Sequence, residues 1–107
     1  AFERKLSRDI GTSLTAVGSY TVPAATQTTV IGLTVANTTG ATVNIDVTLN
    51  DGSNDTYIVK SAPVPTGGAI VPIGGNQKIV MEPNDSIKVK SDTATSIDAV
   101  LSILEIT

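Results

Sequence analysis

The stretch SIDAVLSILEIT (residues 96–107) has the pattern of a β-strand that is apolar on both faces. One face carries apolar side chains at alternate positions: Ile97, Ala99, Leu101 and Ile103. The opposite face is apolar in its second half, at Val100, Leu104 and Ile106. Successive side chains of a strand point to opposite sides, so a strand with one face exposed to solvent would not carry apolar side chains on both faces. Either this strand lies in the middle of a closed small core, or its outer face contacts another polypeptide.

The rest of the chain has the same strand character. Thr, Val and Ile are abundant, Gly and Pro recur at intervals, and no stretch sustains the apolar period of a helix. The pattern predicts strands at 14–22, 28–37, 41–50, 55–61, 68–72, 77–82, 86–91 and 95–106. Hairpins are predicted across NTTG (37–40), NDGSND (50–55) and EPND (82–85). This spacing predicts an all-β fold, a single antiparallel β-sandwich or jelly-roll-like domain over residues 13–107.

Residues 1–12 fall outside this alternation and are predicted to form an extended N-terminal arm. Phe2, Leu6 and Ile10 are spaced four apart, so the segment could form a short amphipathic helix when it binds a partner. Disorder is the usual state of a chain terminus. Three large apolar side chains are nevertheless poorly suited to a tail in water, so a partner-binding arm and a disordered tail both stay open.

Composition excludes several classes of function. The chain of 107 residues fits one domain, and it contains no Cys, no His and no Trp. Disulfides, thiolate metal sites and the usual neutral-pH base are therefore absent. The aromatic residues are Phe2, Tyr20 and Tyr57, too few for a stacking platform of the kind that binds single-stranded nucleic acid. No apolar run is long enough for a signal peptide or a membrane span, so we expect a soluble protein made in a cytoplasm.

Charge is unevenly distributed along the chain. The net charge is −3, which disfavours a nucleic-acid partner because phosphate contacts need clustered Lys and Arg. Residues 1–9 contain three basic side chains (Arg4, Lys5, Arg8) and two acidic ones (Glu3, Asp9), a net of +1. The other 98 residues therefore carry a net charge of −4, and the two parts sum to −3.

The acidic loop DGSND (51–55) is the best candidate for a ligand site in the body of the chain. Asp51, Ser53 and Asp55 have the spacing of the first ligands of a calcium loop, but Ala62 stands where the closing Glu is needed. A polar hairpin tip is the better interpretation. Glu82 and Asp85 have no accompanying nucleophile or base, so no catalytic site, metal or cofactor is predicted.

Three stretches together indicate a resemblance: AFERKLSRDIGTS (1–13), KSAPVPTGGAIVPIGGNQKIVMEPNDSIKVKSD (60–92) and TATSIDAVLSILEIT (93–107). With these in view the whole chain resembles small structural proteins of tailed-bacteriophage virions. The pattern KIVMEPNDSIKVKSD (78–92), followed by an apolar final strand, is similar to head decoration (cement) proteins and to small tail or neck components. Such proteins are β-sandwiches, often trimeric on a capsid, and use an N-terminal arm to reach a neighbouring subunit.

The resemblance implies roles for two sets of residues. It assigns the contacts between the arm and a partner to Phe2, Arg4, Lys5, Leu6, Arg8 and Ile10. It assigns packing between subunits to Val100, Leu104 and Ile106. The implied partners are the major capsid protein or other virion proteins, together with further copies of the chain, a trimer being favoured. The implied location is the virion, assembled in the host bacterial cytoplasm.

The expected function is that of a non-enzymatic virion structural protein, a capsid decoration protein that binds and stabilises the major capsid lattice. The alternative within the same fold is a tail, neck or baseplate component. An alternative from another class is a host-surface or glycan-binding module, for which the candidate contact is Tyr57 beside the Asp51–Asp55 loop. A structural role would explain the final strand, because a repeated piece of a shell hides an apolar face against its neighbours.

Overall fold

The computed structural model describes residues 1–74 and 77–107, which form two antiparallel sheets packed into a sandwich. The strands are β1 (Phe2–Ile10), β2 (Thr15–Ala16), β3 (Gln27–Asn37), β4 (Val43–Asn50), β5 (Asp55–Val64), β6 (Ala69–Ile73), β7 (Ile79–Met81), β8 (Ser86–Ser91) and β9 (Ile97–Ile106). Sheet A has the order β1-β9-β3-β6, with β7 also paired to β3, and sheet B has the order β2-β8-β4-β5. The predicted all-β sandwich is confirmed.

The order of the strands is that of a jelly roll. Most consecutive strands lie in opposite sheets, and the first strand of the chain pairs with the last. Each sheet is therefore assembled from strands that are distant in sequence, as in two nested Greek keys. This topology places both ends of the chain side by side in sheet A.

β9 divides its two faces as the alternation predicts. Its inner side chains, Ile97, Ala99, Leu101 and Ile103, are no more than 1% exposed. They join a core to which sheet B contributes Val43, Ile45, Val47, Ile87 and Val89. On the outer face, Val100 and Ile106 remain 45% and 56% exposed. Because β9 pairs with β1 on one side and β3 on the other, its backbone is central while its outer face stays open.

The predicted strand at 14–22 is largely wrong. Only Thr15–Ala16 pairs, with β8, and the chain then forms a single 3-10 turn at Val17–Ser19. Gly18 and Ser19 have φ angles of 64° and 54°, in the left-handed region that interrupts an extended strand. The apolar side chains that suggested a strand, Val17, Tyr20 and Val22, are buried from this irregular segment instead.

Two of the three predicted hairpins are also wrong. β4 and β5 do form the hairpin across 50–55. β3 and β4 lie in opposite sheets, as do β7 and β8, so NTTG and EPND connect sheets rather than paired strands. The EPND turn itself is present: the N–H of Asp85 donates to the carbonyl of Glu82 at 3.0 Å, and Asn84 has a φ of 78°. Local turn chemistry therefore identified the bends but not the sheets that they join.

The N-terminal segment is neither a helix nor a disordered tail. Phe2–Ile10 is an edge strand that pairs along β9, so the proposed boundary at residue 12 does not separate an arm from the sandwich in this structure. A spacing of four residues satisfies a strand, with a period of two, as well as a helix. The register shifts between Ser7 and Ile10, where Asp9 has a φ of 57°, and Ile10 turns into the core with 3% exposure. Ile10 is therefore a core residue and is not open to a partner.

Two adjacent residues of β9 test this division of faces. Leu101→Ala should lower the free energy of unfolding by about 2–5 kcal/mol, because it leaves a cavity in the core. Val100→Thr should change it by less than about 0.5 kcal/mol, because the side chain is exposed and Thr suits a strand. Urea denaturation of both variants provides the measurement. Equal losses would show that the outer face of β9 is buried in solution.

Candidate interaction surface

The outer surface of sheet A carries a set of large apolar side chains, which we call the apolar face. Phe2 and Val80 are 76% and 65% exposed, and Leu6 is 47% exposed. The apolar face consists of Phe2, Leu6, Val80, Val100, Leu104 and Ile106. Of the seven large hydrophobic residues that are exposed in the described part of the chain, five belong to this face. Such a concentration on one side is the usual mark of a contact surface.

Strand pairing makes the apolar face continuous. Phe2 lies opposite Leu104, Leu104 opposite Thr29, and Thr29 opposite Val80, so one row crosses β1, β9, β3 and β7. Side chains directly opposite each other in neighbouring strands have Cβ atoms about 5 Å apart. The row is therefore an uninterrupted band in which Thr29 is the polar member.

A second row runs parallel to the first. Leu6 lies opposite Val100, and Val100 lies opposite Thr34. Between the two rows, the exposed Arg4 lies opposite Ser102 on the same face. The surface is thus apolar in its rows and polar between them, and Arg4 provides a positive charge at its β1 margin.

In β1 the usual amphipathic pattern is reversed, because polar side chains point inward and large apolar ones point outward. Its inward positions hold the polar residues Glu3, Lys5 and Ser7, whose neighbour is the 3-10 turn rather than the centre of the core. The hydroxyl of Ser7 accepts a hydrogen bond from the N–H of Gly18 at 2.8 Å. A Cβ on Gly18 would lie 2.7 Å from the Cβ of Lys5, so this close approach requires glycine. With polar residues directed inward, Phe2 and Leu6 face outward.

An electrostatic cluster holds the end of β1 against the body. Lys5 Nζ lies 2.9 Å from a Glu3 carboxylate oxygen and 5.0 Å from the centroid of the Tyr20 ring. The Tyr20 hydroxyl donates to Glu105 Oε2 at 2.6 Å and also bonds Thr28 Oγ1 at 2.8 Å. Burial and the Glu105 carboxylate raise the pKa of Tyr20 to about 12. The Lys5 ammonium lowers the pKa of Glu3.

The ends of the chain are joined by the backbone as well. The α-ammonium of Ala1 donates to the carbonyl of Glu105 at 2.6 Å, and the N–H of Glu105 donates to the carbonyl of Ala1 at 2.9 Å. This reciprocal pair fixes which backbone groups of β1 face β9 and which face away.

The structure unites two sets of residues that the sequence treated as separate. Phe2 and Leu6, assigned to the arm, lie directly opposite Leu104 and Val100, assigned to subunit packing. Arg4 and Arg8 are exposed, whereas Lys5 is directed inward. Ile106 continues the outer face of β9. No sequence pattern pointed to Val80, because its place in the first row depends on the pairing of β7 with β3.

The opposite face of the sandwich carries the alternative glycan site. Tyr57 lies on β5 at 46% exposure, and Lys60 Nζ is 4.6 Å from the centroid of its ring. A lysine over the ring covers one of the surfaces on which a sugar would stack. The neighbouring region therefore offers little aromatic area.

The acidic loop uses its oxygens to form the hairpin. Asp51 Oδ1 accepts the backbone N–H groups of Ser53 at 3.0 Å and Asn54 at 2.7 Å, and these bonds lower the pKa of Asp51. Asp55 Oδ1 accepts hydrogen bonds from Thr48 Oγ1 at 3.0 Å and Asn50 Nδ2 at 2.9 Å. Both carboxylates act as acceptors within the turn, as the polar-tip interpretation predicts.

No protein-family model matches the chain, and no curated protein sequence matches it. In residues 1–74 and 77–107 no helix is long and apolar enough to cross a membrane.

The raised pKa of Tyr20 predicts that the free energy of unfolding decreases at high pH. In the unfolded chain a tyrosine ionises near pH 10, whereas in the folded protein the pKa of Tyr20 is about 12. Between these values the folded state holds the extra proton, so the free energy of unfolding falls as the pH rises from 10 to 12. Tyr20→Phe should remove this component of the fall, and Tyr57→Phe should retain it. Urea midpoints measured across this range provide the test, and identical profiles for the two variants would contradict it.

Proposed function

We propose that this protein is a non-enzymatic structural protein of a tailed-bacteriophage virion, a decoration protein that binds the major capsid lattice through the apolar face of sheet A. The observation that carries the proposal is the continuous pair of rows formed by β1, β9, β3 and β7. These rows support the proposal because they offer the exposed apolar surface that such a contact would need.

The apolar face has the properties that a lattice contact needs. Its residues lie on paired strands, so little backbone ordering would oppose binding. Phe2, Val80 and Ile106 each expose more than half of their surface, which leaves apolar area to be buried. A small contact of this kind becomes strong when it is repeated over many copies on one particle.

Charge supports an acidic partner surface. Arg4 and Arg8 are exposed on β1, beside the apolar rows, while the chain outside residues 1–9 is acidic. Basic residues at the rim of an apolar contact favour approach to an acidic partner and set its orientation. A decoration protein with this arrangement would approach the lattice with sheet A and leave sheet B outward.

The jelly-roll topology is compatible with this role but does not select it. Jelly rolls form viral capsid domains, and they also form lectins and cupins. The lectin alternative would place the site on sheet B, at Tyr57, where Lys60 already lies over the ring. The apolar face therefore favours assembly over sugar binding.

Binding to purified particles tests the proposal. The double variant Leu6→Thr/Val100→Thr should bind DNA-filled heads about thirtyfold more weakly than the wild type, since each change removes about 1 kcal/mol of apolar burial. Tyr57→Thr is the matched control, because Tyr57 is 46% exposed, close to the 47% of Leu6 and the 45% of Val100. The control should bind like the wild type. Co-sedimentation with heads and, separately, with tails from the same phage gives the affinities.

Each outcome has a distinct meaning. Head binding that depends on Leu6 and Val100, with a raised temperature of particle disruption, supports a decoration role. Binding to tails alone would assign the protein to a tail, neck or baseplate position. Binding to neither particle would contradict the proposal, and the Tyr57 surface would then be tested against host-surface glycans.

A further inference from the structure

Among the described residues, no strand pairs with the outer edge of β1, which presents its backbone groups in a regular array. Because Ala1 and Glu105 exchange both of their backbone hydrogen bonds, the N–H and C=O groups of Glu3, Lys5 and Ser7 also point toward β9. The groups of the intervening residues Phe2, Arg4 and Leu6 then point away from the sheet. β1 is the last strand of sheet A on this side in the part of the chain that the structure describes.

The regular part of this edge is short and well defined. The register shift between Ser7 and Ile10, with the left-handed Asp9, ends the flat segment after Ser7. A strand that pairs with this edge therefore meets residues 2–7. A short regular edge limits the number of registers that a partner strand can adopt.

Two opposite charges point inward along this edge. Glu3 and Lys5 stand two residues apart on the inner side of β1, with a separation of 2.9 Å between their charged groups. Inward-pointing charges normally prevent another strand from adding to an edge. Here the two signs follow each other at the spacing of a strand, so an antiparallel copy of the same segment places Lys5 opposite Glu3 and Glu3 opposite Lys5. Charge repulsion would therefore disfavour an unmatched strand, and opposite charges would favour an antiparallel copy of β1.

We propose that β1 pairs antiparallel with β1 of a second copy about a two-fold axis at Arg4, forming one continuous sheet across two molecules. In this register Phe2 lies opposite Leu6 of the second copy on the outer face. Glu3 lies opposite Lys5 of the second copy on the inner face. The outward backbone groups of Phe2, Arg4 and Leu6 meet their counterparts as hydrogen-bonded pairs.

Charge distinguishes this register from its neighbours. A two-fold axis at Lys5 opposes two lysines, and an axis at Glu3 opposes two glutamates. An axis at Leu6 pairs only Lys5, Leu6 and Ser7 of the flat segment, because the register shift begins after Ser7. The axis at Arg4 leaves one pair of like charges, the two Arg4 side chains, on the exposed outer face, where their long stems separate them and salt screens them.

The pairing would double the apolar face. A two-fold axis perpendicular to the sheet keeps the outer surfaces of both copies on the same side, so Phe2 and Leu6 of each copy join the rows of both. The use of this doubled face against a capsid rests on the proposed function, whereas the strand pairing does not. A two-fold contact makes a dimer, which differs from the trimer that the resemblance implies.

Cysteine crosslinking tests the register directly, since the chain contains no cysteine of its own. In Arg4→Cys the two Cα atoms of the central hydrogen-bonded pair would lie about 5.5 Å apart, within the range of a disulfide. In the matched control Leu6→Cys they would lie roughly 14 Å apart, because four residues of strand separate them. Under mild oxidation Arg4→Cys should form a covalent dimer and Leu6→Cys should stay monomeric. Dimers of Leu6→Cys alone, equal yields from both variants, or no dimers would each overturn the proposal.

A backbone test accompanies the crosslink. Arg4→Pro removes an outward N–H that β9 does not use, so the strand should keep its place while the dimer is lost. Arg4→Thr removes the same charge but keeps the N–H, and it should associate at least as tightly as the wild type. Sedimentation measures association, and thermal unfolding shows that both variants are folded. If Arg4→Pro associates like Arg4→Thr, the β1 edge is not the contact. None of these measurements involves virions, so their failure would leave the particle-binding result to stand or fall separately.

Discussion

The pairing of β9 with both β1 and β3 is the interaction on which the rest of the structure depends. It joins the first strand of the chain to the last, and the Ala1–Glu105 hydrogen bonds span 104 residues of sequence. Contacts of such long range form only after much of the chain has been ordered, which is typical of slow-folding all-β proteins. The same pairing buries one face of β9 in the core and sets the other at the centre of the apolar face. Core and surface are therefore two sides of one strand, and a change in its register would exchange them.

β1 shows how a strand can belong to the sheet while contributing little to the core. Of its side chains only Ile10 is buried, after the register shift has turned it inward. The remaining inward positions carry Glu3, Lys5 and Ser7. Lys5 forms an ion pair with Glu3 and lies over the Tyr20 ring, and Ser7 accepts a hydrogen bond from Gly18 in the 3-10 turn. This strand is thus held by its backbone pairing and by polar contacts, and its apolar residues are left for the outside. Its amphipathic pattern suits the contact outside the chain that we propose.

Sequence reasoning predicted the fold class because the period-two alternation of β9, β3 and β4 is strong and each of these strands has one face that is mostly buried. It assigned the side chains of β9 to the correct inner and outer faces, while the contact expected for the outer face stays a prediction. The prediction failed where one local pattern is compatible with two structures. The spacing of Phe2, Leu6 and Ile10 is compatible with a helix and with a strand. The sequence NTTG is compatible with a hairpin and with a connection between sheets. The prediction also missed Val80, since only the pairing of β7 with β3 brings this residue beside Thr29 and Leu104. Alternation along a chain specifies the faces of a strand, whereas the identity of its neighbours is a property of the whole topology.

The arrangement of polar groups on sheet A would make the proposed apolar contact selective. Thr29, Thr34 and Ser102 stand within or between the rows, and Arg4 lies at their margin. A partner must therefore match apolar bands separated by polar positions at the spacing of neighbouring strands, about 4.8 Å. An unrelated apolar patch would leave these hydroxyl groups and the guanidinium desolvated without partners, which costs more than the apolar contact returns. The same logic applies to the proposed pairing at the edge, where the alternating charges of Glu3 and Lys5 would favour a matched strand. Face and edge thus use one device, polar groups set at strand spacing, so that burial of apolar area is favourable only in a specific geometry.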